Sequence, residues 1–127
     1  MARVAAAFAA NGVVYETGVI PSTSRKRETL LAPESARLIA SYLRDAVLEG
    51  TGRTLRNHPW RIAGKTGTAE LADSPSHAWF IGFAPYGPAT KRVAFAVLLE
   101  HAGYGGLSAA PVAGEIVTAA AATGLIR

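Results

Sequence analysis

Cysteine is missing from all 127 residues. Disulfides, thiolate metal sites and cysteine nucleophiles are therefore excluded, while the absence says little about compartment. No apolar run approaches the roughly 20 residues a helix needs to cross a bilayer. The opening segment Met1–Ala10 has Arg3, a short apolar run and Ala7-Phe8-Ala9, in the manner of a secretion signal. It lacks the length of about 15–30 residues such a signal takes, so it reads as an amphipathic or buried helix. His58, His77 and His101 do not stand at metal-ligand spacing, and no metal or organic cofactor is implied. The basic triplet Arg25-Lys26-Arg27 has no aromatic residues interleaved with it. It reads as a solvated loop, and nucleic acid is not an expected partner. There is no internal repeat and no low-complexity linker.

Half of the chain (50%) is hydrophobic, and much of that half is alanine, which suits close helix packing. The length fits one compact domain. Thirteen basic residues against nine acidic ones give a net charge of +4, spread over the chain apart from the triplet.

Met1–Ala10 is expected to be a helix closed by Asn11-Gly12. It has no N-cap, as for a helix that begins upstream. Val13–Ile20 reads as extended, and Pro21–Thr29 as a polar, basic loop. Pro33 opens a second helix, whose apolar positions Leu38, Ile39, Tyr42, Leu43, Ala46 and Val47 share one face at helical spacing. Gly50 ends it, and Thr51-Gly52-Arg53 is a turn. Three strands are expected at Trp60–Ala69, His77–Ala84 and Arg92–Glu100. Their short connections favour antiparallel neighbours. The third is almost continuously apolar, so both of its faces should be covered. After Gly103-Tyr104-Gly105-Gly106, a loop that is either a plain turn or an overhang on a cleft, comes a last helix. Ser108 is its expected cap, Pro111 lies in its first turn, and Val112, Ala113, Ile116, Val117 and Ala120 form its apolar stripe. The fold class is α+β: an antiparallel sheet of about three strands packed against helices. On the second strand Trp79, Ile81 and Phe83 share one face and Phe80 takes the other, all as core.

The segment Ala63–Glu70, AGKTGTAE, is the polar exception among these strands. Gly64-Lys65-Thr66 matches the end of a phosphate loop, but Pro59 occupies the position of that motif's first glycine. The run around it also reads as strand, where a phosphate loop needs strand, loop and helix. Two readings then stand. An edge strand is made polar to discourage aggregation. Alternatively, the edge holds a ligand. Lys65 and Thr66 point to opposite faces, so a ligand using both lies along the edge, and Gly67 leaves room for close approach. The Lys65 ammonium and the hydroxyls of Thr66 and Thr68 suit a carboxylate, and a backbone N–H near Gly67-Thr68 suits a developing oxyanion. The strand is then a rail for an extended peptide with a free C-terminus. Glu70, at its end, is a candidate partner for a base.

The order and spacing of RIAGKTGTAE, SHAWFIGFAP, RVAFAVLLEHAGYGG and SAAPVAGEI resemble the C-terminal part of the transpeptidase domain of penicillin-binding proteins. MARVAAAFAANG and LLAPESARLIASYLRDAVLEGTGRT resemble the helical segments preceding the KTG strand of that family. The resemblance spans nearly the whole chain, and its His77-Ala78-Trp79-Phe80 form is closer to the class B proteins. It implies the penicillin-binding and serine β-lactamase-like transpeptidase fold. It also implies a peptidoglycan D,D-transpeptidase in which a serine attacks the penultimate D-alanine of a stem peptide, expels the last D-alanine and passes the acyl group to an amine. Substrate-binding positions would be Lys65, Thr66, Gly67 and Thr68. Lys65 would support the polar network, Thr66 and Thr68 the ligand carboxylate, and the Thr68 N–H would be one of two oxyanion donors. β-Lactams, the rest of the parent domain and a membrane glycan polymerase would be partners. The location would be outside the cytoplasmic membrane, anchored through an N-terminal segment.

The family's SxxK and SxN motifs have no match in the sequence. Thr23-Ser24-Arg25-Lys26 begins with threonine and falls in an expected loop. Residues 1–127 are thus expected to be an incomplete domain, one wall of a cleft without the nucleophile, and inactive alone, because nucleophile and base act as a unit. A β-lactam-sensing module of a signal transducer and a non-catalytic interaction domain are the alternatives.

Overall fold

The computed structural model describes residues 1–18 and 25–127. Its elements in chain order are α1 (Ala2–Ala9), β1 (Val13–Tyr15), β2 (Arg27–Thr29), α2 (Pro33–Leu48), a 3-10 turn (Arg53–Leu55), β3 (Ala63–Ala69), β4 (His77–Ala84), β5 (Val93–Leu99) and α3 (Ala109–Ala122). The strands β3, β4 and β5 form an antiparallel sheet in that order. The α+β expectation holds.

The register settles which residues share a face. Gly64, Thr66 and Thr68 stand opposite Gly82, Phe80 and Ala78, which continue across to Phe95, Val97 and Leu99. This face is packed by α3, through Ala109, Ala113 and Val117. Phe80 is fully buried here, with its ring stacked on Phe95 at 6.2 Å. The other face carries Ala63, Lys65 and Gly67 against Phe83, Ile81 and Trp79. It is covered in part by α1 and α2, with Ala40, Phe8 and Leu43 around Phe83. Alanine on all three helices lets their backbones approach the sheet closely, so a small chain builds two layers of helix around three strands.

Several expectations need correction. The buried face of α2 is Ala36, Ala40 and Val47, and Leu38 and Tyr42 are 53% and 60% exposed. Two apolar faces overlap on that helix, and the smaller side chains are the ones against the sheet. In α3 Gly114 joins the buried stripe while Ile116 is exposed. Ser108 occupies the N-cap position, but its hydroxyl donates to the Ala102 carbonyl at 2.7 Å and caps nothing. The first sheet strand starts at Ala63, because Arg61 takes a left-handed φ of 43°. The His58-to-Arg61 turn precedes it, with Arg61 N–H donating to the His58 carbonyl at 3.1 Å. On β5, α1 and α3 cover opposite faces, yet Leu98 is 43% exposed. The polar segment Arg27–Thr29 pairs with Val13–Tyr15 in a small antiparallel ribbon. Of the expected loop and extended stretch, residues 19–24, with Thr23 and Ser24, lie outside the described residues.

Two contacts place the start of β3. Arg44 of α2 donates Nη1 to the Ile62 carbonyl at 2.7 Å. Burial, and then the nearby Arg61 charge, lower its pKa from the usual guanidinium value. On the α3 side, His58 Nδ1 accepts the Trp60 N–H at 3.3 Å. That assigns the ring proton to Nε2, which donates to the Gly114 carbonyl at 3.1 Å.

Candidate functional site

Strand β3 is an edge of the sheet, with no strand on its outer side among the described residues. Two observations give the direction of its backbone groups. The Thr66 carbonyl accepts Lys65 Nζ at 2.9 Å, which it does at the open edge. The Gly67 N and O lie beside the Trp79 O, between the two strands. In an antiparallel pair the residues alternate between those bonded to the neighbour and those turned away. The N–H and C=O of Gly64, Thr66 and Thr68 are thus directed outward, where an added strand would pair with them.

The strand is buried at Ala63 and Gly64 and opens progressively: Thr66 is half-buried, Lys65 and Thr68 are exposed. Thr66 and Thr68 line a cleft of about 530 Å³ on the α3 side of the edge. Its opposite wall is Thr51, Arg53 and Thr54 from the turn after α2, and its rim is Tyr104 to Leu107. Thr51 and Thr66 are joined hydroxyl to hydroxyl. Glu49 and Arg53 are the charged side chains of this lining, and Glu49 is already paired with Arg56 at 3.1 Å. What remains is a positive, hydroxyl-rich slot beside an open strand edge, a setting for an extended chain ending in an anion.

The rim is held by close backbone approach. A Cβ at Gly105 would lie 2.3 Å from the Trp79 carbonyl oxygen and 2.4 Å from that of Gly67, and one at Gly106 would lie 2.3 Å from the Thr51 oxygen. Only glycine permits this loop to lie on the β3–β4 backbone. A histidine clip secures its approach. The His101 N–H donates to His77 Nδ1 at 3.0 Å, His101 Nδ1 donates to the Pro75 carbonyl at 3.2 Å, and the two rings meet edge-on at 4.8 Å. The Gly103 N–H also donates to the Ser76 carbonyl at 2.9 Å.

The structure therefore brings Thr66 and Thr68 into one cleft and leaves Lys65 outside its lining, on the opposite face of the strand. Tyr104 lines the cleft and is 71% exposed. Glu70 has no ion-pair partner among the described residues, where the ion pairs are Arg3–Glu28, Arg37–Glu34 and Arg56–Glu49. Its side chain is exposed just past the end of β3. Thr51, Thr54, Gly105 and Gly106 are site residues that sequence reading treats as a cap, a turn and a loop tip. Their glycine-threonine runs are the signal, but their meeting at β3 is tertiary. Among the described residues no three metal-ligating side chains come together, and no helix is long and apolar enough to cross a membrane.

The family described as "Penicillin binding protein transpeptidase domain" matches residues 1–118. The chain belongs to this family. Stage V sporulation protein D of Bacillus subtilis is 32% identical over 99 residues, 72% of this chain and 15% of that protein. The peptidoglycan D,D-transpeptidase MrdA of Haemophilus influenzae is 33% identical over 84 residues, 54% of this chain and 13% of its own length. The solved penicillin-binding protein A from Mycobacterium tuberculosis, a ceftriaxone acyl-enzyme complex, superposes with a TM-score of 0.77 at 30% identity. That likeness covers 94% of this chain and 31% of the solved one. The chain thus matches about one seventh of these two relatives' length and about one third of the solved chain.

Proposed function

We propose that residues 1–127 are the C-terminal portion of a class B-type transpeptidase domain. The longer parent chain is a serine D,D-transpeptidase that cross-links peptidoglycan outside the cytoplasmic membrane. The single observation that carries this is the placement of Thr66 and Thr68 on one cleft, beside an edge whose backbone groups are directed outward. The rest of the domain supplies the serine and lysine. The serine oxygen bonds to the carbonyl carbon of the penultimate D-alanine, the C–N bond breaks, and the last D-alanine leaves as the protonated amine. A neighbouring peptide's amine then takes the acyl group and the serine regains its proton.

In this reading the stem peptide, or a β-lactam in its place, lies along β3. The Thr66 and Thr68 hydroxyls hold its carboxylate. The outward Thr68 N–H donates to the oxyanion, where a fixed dipole counts most. Gly67 keeps the strand slim beneath the ligand. Lys65, across the strand, contributes its positive charge and restrains the Thr66 carbonyl at the edge. The exposed Leu38 and Tyr42 suit a helix that receives a further cover from the rest of the domain. Anchorage through an N-terminal segment and association with a membrane glycan polymerase complete the proposal.

A fluorescent penicillin applied to membranes of the source organism, followed by capture with an antibody against this segment, tests it. A labelled band well above 13.2 kDa is expected. An unlabelled captured band would sink the proposal. The isolated 127 residues, lacking SxxK, should form no stoichiometric adduct with the same drug.

A further inference from the structure

We propose that Thr51 is a positioning residue of this site: its hydroxyl donates into the Thr66 oxygen and aims the Thr66 proton at an anionic oxygen of the ligand. The inference rests on the function proposed above and adds a residue to it. Thr51 follows α2, far in sequence from β3, and the fold sets its side-chain oxygen against that of Thr66. Its backbone is fixed on both sides. The Gly52 N–H donates to the Ala46 carbonyl at 3.0 Å. The Thr51 carbonyl packs on Gly106, whose own carbonyl accepts the Thr54 hydroxyl at 3.4 Å. The backbone that carries the Thr51 hydroxyl is thus held in the wall.

The proton count gives the direction. Each threonine hydroxyl has one proton and two acceptor sites. A carboxylate has no proton to give, so a ligand carboxylate at Thr66 takes the Thr66 proton. The Thr66 oxygen is then an acceptor, and the donor lying on it is Thr51. The resulting relay runs from Thr51 to Thr66 to the ligand, and each bond in such a chain polarises the next. Arg53, the lining charge left without a carboxylate partner among the described residues, keeps the slot positive for the same anion. A neutral ligand would draw less from the relay, because hydrogen bonds to charged groups are roughly twice as strong.

The test is the second-order acylation rate of the full-length parent by benzylpenicillin and by its methyl ester. Thr51→Val keeps the shape and removes the hydroxyl. It should slow acylation by the free acid about tenfold, and acylation by the ester by less than about twofold. Thr51→Ser should stay within about twofold of wild type with both drugs. In a Thr66→Val background, Thr51→Val should add nothing, since it acts through Thr66. Three outcomes would overturn the inference while leaving the proposed function standing: an unchanged rate in Thr51→Val, an equal loss for acid and ester, or full additivity with Thr66→Val. A Thr51→Val chain that does not fold shifts the decision to Thr51→Ser, where a loss like that of Thr66→Val overturns it too. A wild-type parent that takes no label sinks the proposed function, and this inference with it.

Discussion

Strands β3 and β4 pair residue for residue over seven positions, yet they are built from different chemistry. In β4 the residues facing α3, Ala78, Phe80, Gly82 and Ala84, are all buried. In β3 burial ends after Gly64, and Lys65, Thr66, Gly67 and Thr68 follow at partial or full exposure. The pairing between them is shared and does not decide composition; what differs is that β4 has a second strand neighbour, β5, and fuller cover. Where α3 and the second strand neighbour cover both sides of a strand, the side chains are apolar. Where cover stops, the strand is polar and its N–H and C=O groups at Gly64, Thr66 and Thr68 are directed outward. The covered and the open parts of this sheet are separated by one strand spacing of about 4.8 Å.

That division is broken most severely from the β4 side. Phe80 is fully buried between α3 and Phe95. Phe80→Ala should cost about 3–5 kcal/mol, from lost transfer energy and the cavity left behind. Such a loss takes a large fraction of the stability of any small domain. Denaturant unfolding followed by Trp60 and Trp79 fluorescence measures it. A cost below about 1 kcal/mol would mean that the α3 face is not the structural half.

Gly105 is the hinge of the comparison, because it seals the rim of the open strand against the backbone of the closed one. Gly105→Ala puts a methyl where two carbonyl oxygens already lie at 2.3 and 2.4 Å. The loop must lift, at about 1–3 kcal/mol in the manner of overpacking, and the Tyr104 rim should move with it. The same unfolding assay gives the cost, and a shift in the amide signals of Gly67 and Trp79 reports the lifting. An alanine variant with wild-type stability and unshifted signals would show that the rim does not rest on the sheet.

The contrast between the two strands also explains what the sequence discloses. The apolar runs of His77–Ala84 and Val93–Leu99 and the polar break at Lys65–Thr68 are both local patterns. The sheet and its unusual edge are therefore legible without coordinates. Which apolar face of α2 is covered is not local: Leu38 and Tyr42 fit helical spacing as well as Ala36 and Ala40, and packing chose the smaller set. The ribbon of Val13–Tyr15 with Arg27–Thr29 is hidden because all three residues of β2 are exposed and leave no hydrophobic signal. The cleft is half legible. Thr66 and Thr68 announce themselves by their place on a strand, while Thr51 and Gly105 come from a turn and a loop that look like ordinary connections.

The smallest structural effect is expected at Thr68, and there the comparison becomes sharpest. Thr68 is exposed at the open end of β3 and lines the cleft. Thr68→Val keeps β-branching and strand preference, so its unfolding free energy should stay within about 0.5 kcal/mol of the wild type. The backbone N–H remains, so the proposed oxyanion donor is retained and only the hydroxyl is lost. Acylation of the parent by a carboxylate-bearing β-lactam should then slow by about tenfold, the worth of one hydrogen bond to a charged group. A loss of stability above 1 kcal/mol would place Thr68 with Phe80, as part of what holds the sheet together. Unchanged stability with unchanged acylation would leave the polar edge as protection against strand-to-strand association. Unchanged stability with slowed acylation is the result that ties the open half of the sheet to chemistry, because the same side chain would then be dispensable for the fold and required for the ligand.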